Sequence, residues 1–443
     1  MSAMDTSDVA AEQARPFRVL ISDDQADVLE ALRLLLKGQG WKAIAVDSPE
    51  ALLHAVRTEV FDLILVDLNY TRDTTSGKEG MDLLASLEAE GNTAPVMVMT
   101  AWSSFDLAVE AMRRGACDFI QKPWDNERLL AAIRKQAESE RRRKSELEIA
   151  ANVQQKLFPR ELRLLKTLDY AGQCVAAREV GGDYYDFLDT GHHTLGFVLA
   201  DVSGKGVPAA LLMANLQACF RSQPPGALLR PAEALKTVNR HFFDSSAAER
   251  FATLFFGLYD DRTRKLRYVN CGHVAPLLLR DSGRLEQLPP TATMLGAFRE
   301  WNCAEAVVEL RPRDVLVLYS DGVTEAGIDR TEEFGEDRLI RAVCDHQRQP
   351  ADVLVQKIVD AVSDFSGTSR SDDVTVVALR GILPGLLRPV QPFFGQRRCH
   401  PKTGQTACPT RGSESRPGRP HRNTTAHRRF RGAIATPWVP GGL

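Results

Sequence analysis

Short apolar runs rich in β-branched residues alternate with amphipathic stretches over the first third of the chain. The runs are FRVLIS, AIAV, FDLILVD, PVMVMT and DFIQ, between about residues 17 and 128. Each has the length and composition of a strand buried on both faces. The stretches between them carry apolar residues at helical spacing. ADVLEALRLLLKGQG is an example, and it ends on glycine as helices commonly do. Five strands alternating with helices predict an open, doubly wound α/β sheet, five-stranded and parallel, with helices on both faces. In such a sheet the site lies beyond the carboxyl ends of the strands.

The pattern changes at about residue 125. From 125 to 158 the chain contains neither Gly nor Pro, and Pro159 closes the stretch. Helix propensity is high throughout. Leu129, Ile133, Leu147, Ile149, Val153 and Leu157 form a sparse apolar stripe, broken by QAESERRRKSE. A solvated connector helix and the coiled-coil seam of a homodimer both fit this stripe. Beyond it, LGFVLADVSG, ATLFFGLYD, KLRYVN, APLLLR, AVVEL, DVLVLYSDG and DVTVVALR read as strands. PAALLMANLQACFRS, PAEALKTVNRHFFD and ADVLVQKIVDAVSDF read as helices. This predicts an α+β domain, a two-sheet sandwich flanked by helices. After about 383 the periodicity fails and Arg, Pro and Gly dominate, as in disordered segments. The expected organisation is a first domain at 16–124, a helical linker at 125–158, a second domain at 159–382 and a basic tail at 383–443.

Composition adds limits. A chain of 443 residues accommodates two ordinary domains and linkers. The net charge of -2 gives no global attraction to nucleic acid or membrane. The tail is the exception. Its basic charge suits RNA, DNA or acidic lipid, and a non-functional tail, such as a shifted reading frame would give, is the plainer explanation. No stretch approaches the roughly 20 apolar residues of a membrane span. The N-terminal residues lack the order of a signal peptide, so a cytoplasmic location is expected. The eight Cys are scattered without a CxxC pair and read as ordinary thiols. The spacing of Cys399, His400, Cys408 and His421 fits no common zinc pattern.

Candidate chemistry sits at the strand ends. Asp23 and Asp24 follow the first strand, Asp67 ends the third, Thr100 ends the fourth, and Lys122-Pro123 follows the fifth. Folded as above, they converge on one edge of the sheet. Paired carboxylates suit Mg²⁺. A third carboxylate can attack a phosphoryl group, and a lysine and a hydroxyl can stabilise its oxygens. Any one of these residues alone reads as a turn or a helix cap; the coincidence of all five carries the inference.

These residues resemble the response-regulator receiver family over about residues 16 to 128. The resemblance implies that Asp67 is the phosphoacceptor. Asp23, Asp24 and Asp67 would bind Mg²⁺ with help from the backbone of Asn69. Thr100 and Lys122 would contact the phosphoryl group, Lys122-Pro123 would be a cis peptide, and Phe119 would be the switch aromatic. AWSSFDLAVEAMRRGACDFIQKPW is similar to the family's fourth and fifth units. A sensor histidine kinase is the implied phosphate donor. One departure is LNYTRDTTSGKEGMDLL after Asp67, longer than the usual Pro-containing loop, which bears on the choice of kinase.

A second constellation is more spread out. AREVGGDYYDF carries Asp183, ADVSGKG carries Asp201, YSDGVTE carries Asp321, and SRSDDVTVVAL carries Asp372 and Asp373. Glycine beside most of them lets the backbone approach an ion. Carboxylates and carbonyls are hard ligands for Mg²⁺ or Mn²⁺. Few Lys, His or Cys accompany them, which disfavours zinc and a nucleophilic side chain. Two bridged metals activating a water for attack on a phosphoester fit better. Each piece alone is a turn signal.

The set resembles the metal-dependent serine/threonine phosphatase (PPM) superfamily, in its bacterial SpoIIE/RsbU branch, over about 150 to 380. GGDYYDF, ADVSGKG, NCGHVAP, YSDGVTEA, EEFGEDRL and DDVTVV follow the branch's order, and ANVQQKLFP is similar to the helix and proline before its catalytic domain. The resemblance implies that Asp183 and Asp201 bind two Mn²⁺ or Mg²⁺ ions. The Val202 carbonyl would be a further ligand, Asp321 and Asp372 would complete the set, and Asp373 would support it. Departures are Val202 where many relatives have Gly, Val274 where a polar residue is usual, and TATMLGAF without Gly-Pro character.

The expected function is a two-component response regulator with protein serine/threonine phosphatase output. Its substrate would be a phosphorylated partner, with a STAS-type anti-sigma-factor antagonist as the class the family suggests. Phosphorylation of Asp67 would repack the helix at 125–158 and order the metal site. The alternative is a weak or inactive phosphatase-fold module that binds a partner under control of phosphorylation. A DNA-binding output is disfavoured because no helix-turn-helix pattern follows the linker.

Overall fold

The computed structural model describes residues 15–68, 78–101, 105–191, 193–246, 249–328, 332–367 and 372–383. Asn69 and the basic tail from 384 onward lie outside these described residues.

The first domain runs β1 (Arg18–Ser22), α1 (Ala26–Gly38), β2 (Lys42–Val46), α2 (Pro49–Thr58), β3 (Leu63–Asp67), α3 (Lys78–Ala89), β4 (Val96–Ala101), α4 (Phe105–Arg113) and β5 (Asp118–Lys122). The strand order is β2-β1-β3-β4-β5 and every pair is parallel. This is the doubly wound sheet the hydrophobic pattern predicts. Successive side chains on a strand point to opposite faces. Accordingly Leu20, Ile64, Val66 and Val98 join Leu52, Leu84 and Leu87 of α2 and α3 in one core. Val19, Ile21, Leu63, Leu65 and Met97 join Leu32 and Leu36 of α1 in the other.

A 30-residue helix, α5 (Asn126–Gln155), follows. The Asp125 carboxylate caps it, accepting from the Arg128 amide at 2.9 Å. Leu129 and Ile133 complete the second core of the first domain. Further along, Ala151 and Gln154 are buried, whereas Ile149 and Val153 are 56% and 55% exposed. The apolar stripe of the sequence is therefore not one face. A helix turns by about 100° per residue, so position 149 points about 120° away from Ala137, the last buried residue of the first half.

Arg141 fastens α5 to the edge of the sheet where the strands begin. Its Nε and Nη2 each donate to the Asp62 carboxylate at 2.9 Å. Nη1 and Nη2 also donate to the carbonyls of Arg15 and Pro16 at 2.8 and 3.1 Å. The guanidinium lies 4.2 Å above the centre of the Phe17 ring. Burial alone would raise the Asp62 pKa, but its bonds to Arg141 and the Arg18 amide outweigh that and hold it below the usual value.

The second domain contains β6 (Leu168–Val175), β7 (Tyr184–Asp189), β8 (Thr194–Val202), α6 (Val207–Arg221), α7 (Pro225–Leu228), α8 (Pro231–Ser245), β9 (Ala252–Asp260) and β10 (Lys265–Cys271). It continues with β11 (Leu277–Leu279), β12 (Leu285–Gln287), β13 (Ala306–Glu309), β14 (Val315–Tyr319), α9 (Asp321–Thr324), β15 (Gly327–Ile328), β16 (Glu332–Glu333), α10 (Gly335–His346), α11 (Ala351–Ser366) and β17 (Val374–Gly381). Two antiparallel sheets, β13-β10-β9-β8-β7 and β12-β11-β14-β17-β6, form the expected sandwich. Leu316, Leu318, Val377 and Leu379 face Phe197, Phe255 and Phe256 between the sheets. The alternate residues Val315, Val317, Val374 and Val376 pack against Leu339, Leu354 and Ile358 of α10 and α11. Among the described residues, no helix is long and apolar enough to cross a membrane.

Candidate functional site

The parallel sheet gathers Asp23, Asp24 and Asp67 at its carboxyl edge. Ligand atoms of the three carboxylates all lie within 4.8 Å of one another. Asp23 and Asp67 are buried. Lys122 Nζ donates to Asp23 at 2.6 Å and to Asp67 at 2.9 Å. Burial pushes the Lys122 pKa down, but the bonds and charges of the two aspartates outweigh it and raise it. Thr100 is buried in β4, opposite Gln121 and one position before the pair Ala101–Lys122. The Lys122-Pro123 peptide is cis. Phe119 lies on β5 and is 37% exposed. Three clustered oxygen donors beside one ammonium suit a hard divalent ion and a phosphorylated carboxylate.

In the second domain, Asp183 immediately precedes β7, Asp201 lies near the end of β8, Asp321 begins α9 and Asp372 precedes β17. The carboxylates act on one another. Burial raises the Asp183 pKa well above the usual range, reinforced by Asp201 and Asp373 and opposed by the Thr375 and Ser320 hydroxyls. Thr375 Oγ1 donates to Asp183 Oδ2 at 2.5 Å. Burial, then Asp321, Asp372 and Asp373, raise Asp201 to about 7. Burial and then Asp372 raise Asp321. So many carboxylates in a protected wall are costly unless protons or cations neutralise them. The donor set is all oxygen and fits Mg²⁺ or Mn²⁺.

Asp373 has a different role from its neighbour. Its carboxylate accepts from the amides of Ala177 and Gly182 at 2.8 Å each and from Asp183 at 3.4 Å. It thus holds the backbone of the Gly181-Gly182 loop, while Asp372 faces Lys205 at 2.7 Å. The two glycines are required by close approach. A Cβ on Gly181 would lie 2.1 Å from Asp373 Oδ2, and one on Gly182 would lie 2.9 Å from the Val202 carbonyl.

Three buried polar residues of the second domain and its entrance were not foreseen. Gln154, in the last turn of α5, donates through Nε2 to the Gly181 carbonyl at 2.7 Å and accepts from the Gly181 amide at 3.1 Å. ANVQQKLFP held the signal: a polar side chain three residues after buried Ala151, on the helix face that packs. His273 of NCGHVAP is buried, with Nδ1 2.9 Å from Thr253 Oγ1. The second aspartate of GGDYYDF, Asp186, is fully buried and paired with Arg221 at 2.5 Å.

Comparison with known proteins agrees with both halves. The family model for Stage II sporulation protein E (SpoIIE) matches residues 191–381, and that for the response regulator receiver domain matches residues 19–134. Phosphoserine phosphatase RsbU of Bacillus subtilis is 31% identical over 240 residues, covering 54% of this chain and 70% of RsbU. Transcriptional regulatory protein ZraR of Escherichia coli is 35% identical over 117 residues, covering 26% of this chain and 25% of ZraR. Among solved structures, the SiaA-PP2C domain of Pseudomonas aeruginosa is 20% identical, covering 55% of this chain and 98% of that one at a TM-score of 0.47.

Proposed function

The chain belongs to the SpoIIE/RsbU family of phosphoserine phosphatases and carries a receiver domain ahead of it, and from that premise we propose that it hydrolyses phosphoserine or phosphothreonine on a partner protein under control of Asp67. The supporting observation is the convergence of Asp183, Asp201, Asp321 and Asp372, acids far apart in sequence: after burial, the Asp201 charge raises the pKa of Asp183, and those of Asp321 and Asp372 raise that of Asp201.

Asp183, Asp201, Asp321 and Asp372, with the Val202 carbonyl, would hold two Mn²⁺ or Mg²⁺ ions. When bound, such ions supply an activated water and neutralise charge on the phosphoryl oxygens. Thr375 and Ser320 orient the Asp183 carboxylate. Asp373, Gly181 and Gly182 set the loop that presents it. In the receiver, Asp67 is the phosphoacceptor for a sensor histidine kinase. Asp23 and Asp24 would hold Mg²⁺ with it, the Asn69 backbone would assist, and Thr100 and Lys122 would receive the phosphoryl oxygens.

Control runs through α5. Its first half is part of the receiver core, and its last turn grips Gly181, two residues before Asp183. A helix rises 1.5 Å per residue, so Arg141 and Gln154 are joined by a strut of about 20 Å. Movement of the face carrying Thr100 and Phe119 would shift this strut and the metal loop. Ile149 and Val153, exposed one turn apart, support a homodimer contact along the same helix. The substrate class we favour is a STAS-type anti-sigma-factor antagonist.

The test is phosphate release from a phosphoserine protein by the purified full chain with Mn²⁺. Release should occur and should be lost in Asp201→Asn. Absence of release from every phosphoprotein and small ester tried would leave the alternative, an inactive partner-binding module.

A further inference from the structure

We infer that Lys205 binds substrate in the phosphatase site, holding the phosphoryl oxygens of the phosphorylated side chain. The inference rests on the phosphatase function proposed above. Lys205 lies in the loop between β8 and α6, four residues after Asp201. Gly204 and Gly206 flank it at φ of 101° and 71°, backbone that favours glycine and keeps the turn tight. Its Nζ lies 2.7 Å from Asp372 Oδ2. Its charge also reaches Asp201, Asp321 and Glu325, opposing the burial that raises their pKa values.

A cation at this point favours the substrate, in addition to the charge that bound metal ions would supply. A phosphoserine is close to dianionic at neutral pH. It must approach a wall built from Asp183, Asp201, Asp321, Asp372 and Asp373, and unlike charges must meet it for encounter and binding. The Lys205 side chain is 49% exposed, so an incoming group meets it from solvent. An ion pair this exposed is weak and exchanges partners easily. Phosphoryl oxygens accept charge-assisted hydrogen bonds from an ammonium as carboxylates do, so a phosphate can compete for it. The nearby Arg250 does not serve this purpose. Its Nη1 donates to the Ser203 carbonyl at 2.9 Å and occupies the space where a Gly204 Cβ would stand, 2.1 Å away. It braces the loop that presents Lys205.

The test compares the full chain with Lys205→Met and Lys205→Arg. Inorganic phosphate is titrated calorimetrically into each Mn²⁺-loaded protein, Mn²⁺ affinity is measured separately, and KM and kcat are measured on a phosphoserine peptide. Loss of a charge-assisted contact is expected to weaken phosphate binding and raise KM by roughly tenfold in Lys205→Met. Mn²⁺ affinity should be unchanged or tighter, and Lys205→Arg should recover most of the phosphate binding. Unchanged phosphate binding in Lys205→Met overturns the inference. So does a loss that parallels weaker Mn²⁺ binding, because Lys205 would then act only by positioning Asp372. Phosphate binding is read without turnover, so a wild-type protein that binds phosphate through Lys205 yet cleaves nothing defeats the phosphatase function and not this assignment.

Discussion

The side-chain amide of Gln154 pairs with the peptide of Gly181 in both directions, donating at 2.7 Å and accepting at 3.1 Å. Gln154 is 4% exposed, so neither group of Gly181 has water as a ready substitute. The pair fastens the end of the connector helix to the loop that carries Asp183. Gln154→Leu keeps the bulk but strands a buried amide and carbonyl, at about 1–3 kcal/mol for each unpaired group. The expected result is a lower melting temperature, weaker Mn²⁺ dependence of phosphatase activity and a lower kcat. Normal Mn²⁺ activation in this variant would remove Gln154 from the site.

Arg141 should matter to the receiver end of the same helix. Its partner Asp62 is 5% exposed in the side chain and Arg141 is 12% exposed. Without Arg141, Asp62 keeps the Arg18 amide at 2.8 Å and Arg15 at 3.4 Å, so the loss is that of charge-assisted hydrogen bonds, about 1.5–3 kcal/mol. Arg141→Met should therefore lower the melting temperature of the receiver transition. It should also blunt any response of the phosphatase to receiver phosphorylation. Asp62→Asn with Arg141→Met should recover part of the stability, since the buried charge that has lost two of its bonds is gone.

His273 gives the second domain a pH dependence. Burial lowers its pKa to about 4, partly offset by the Tyr319 backbone. The unfolded chain binds this proton from about pH 6.5 downward. The folded pKa is the lower one, so the stability it contributes is complete above pH 6.5 and is lost as pH falls toward 4. Between pH 7 and pH 5 the loss from this group should be about 2 kcal/mol. Urea denaturation at the two pH values, on the wild type and His273→Gln, measures it. An equal loss in both proteins would place the sensitivity elsewhere.

Much of this was legible in the chain because the signals were local. FDLILVD announces β3 through an unbroken apolar run that ends on Asp67, since a central strand of a parallel sheet is buried on both faces. YYDFLD did not announce β7, because Asp186 sits within it. The distant Arg221, the hydroxyl of Tyr184 and the Phe187 amide make that burial tolerable. LDYAGQCV hid β6 for the same reason, with Gln173 buried in a strand. The candidate carboxylates were legible as turn motifs, and the expectation that Asp372 binds metal while Asp373 supports it came from the family resemblance. What Asp373 binds depends on Ala177 and Gly182, nearly two hundred residues away. The connector helix was legible, but not which face it buries. Small Ala137 and Ala151 and polar Gln154 take the buried positions, while Ile149 and Val153 do not.

The most direct test of receiver control is the rate of phosphate release from a phosphoserine protein by the full chain, with Mn²⁺, before and after phosphorylation of the receiver with a small-molecule phosphodonor such as acetyl phosphate. The expected result is a change in rate that disappears in Asp67→Asn and is reduced in Gln154→Leu, with the Asp67→Asn protein keeping the rate of the unphosphorylated wild type. Equal rates before and after a verified phosphorylation of Asp67 would contradict control of the phosphatase by the receiver.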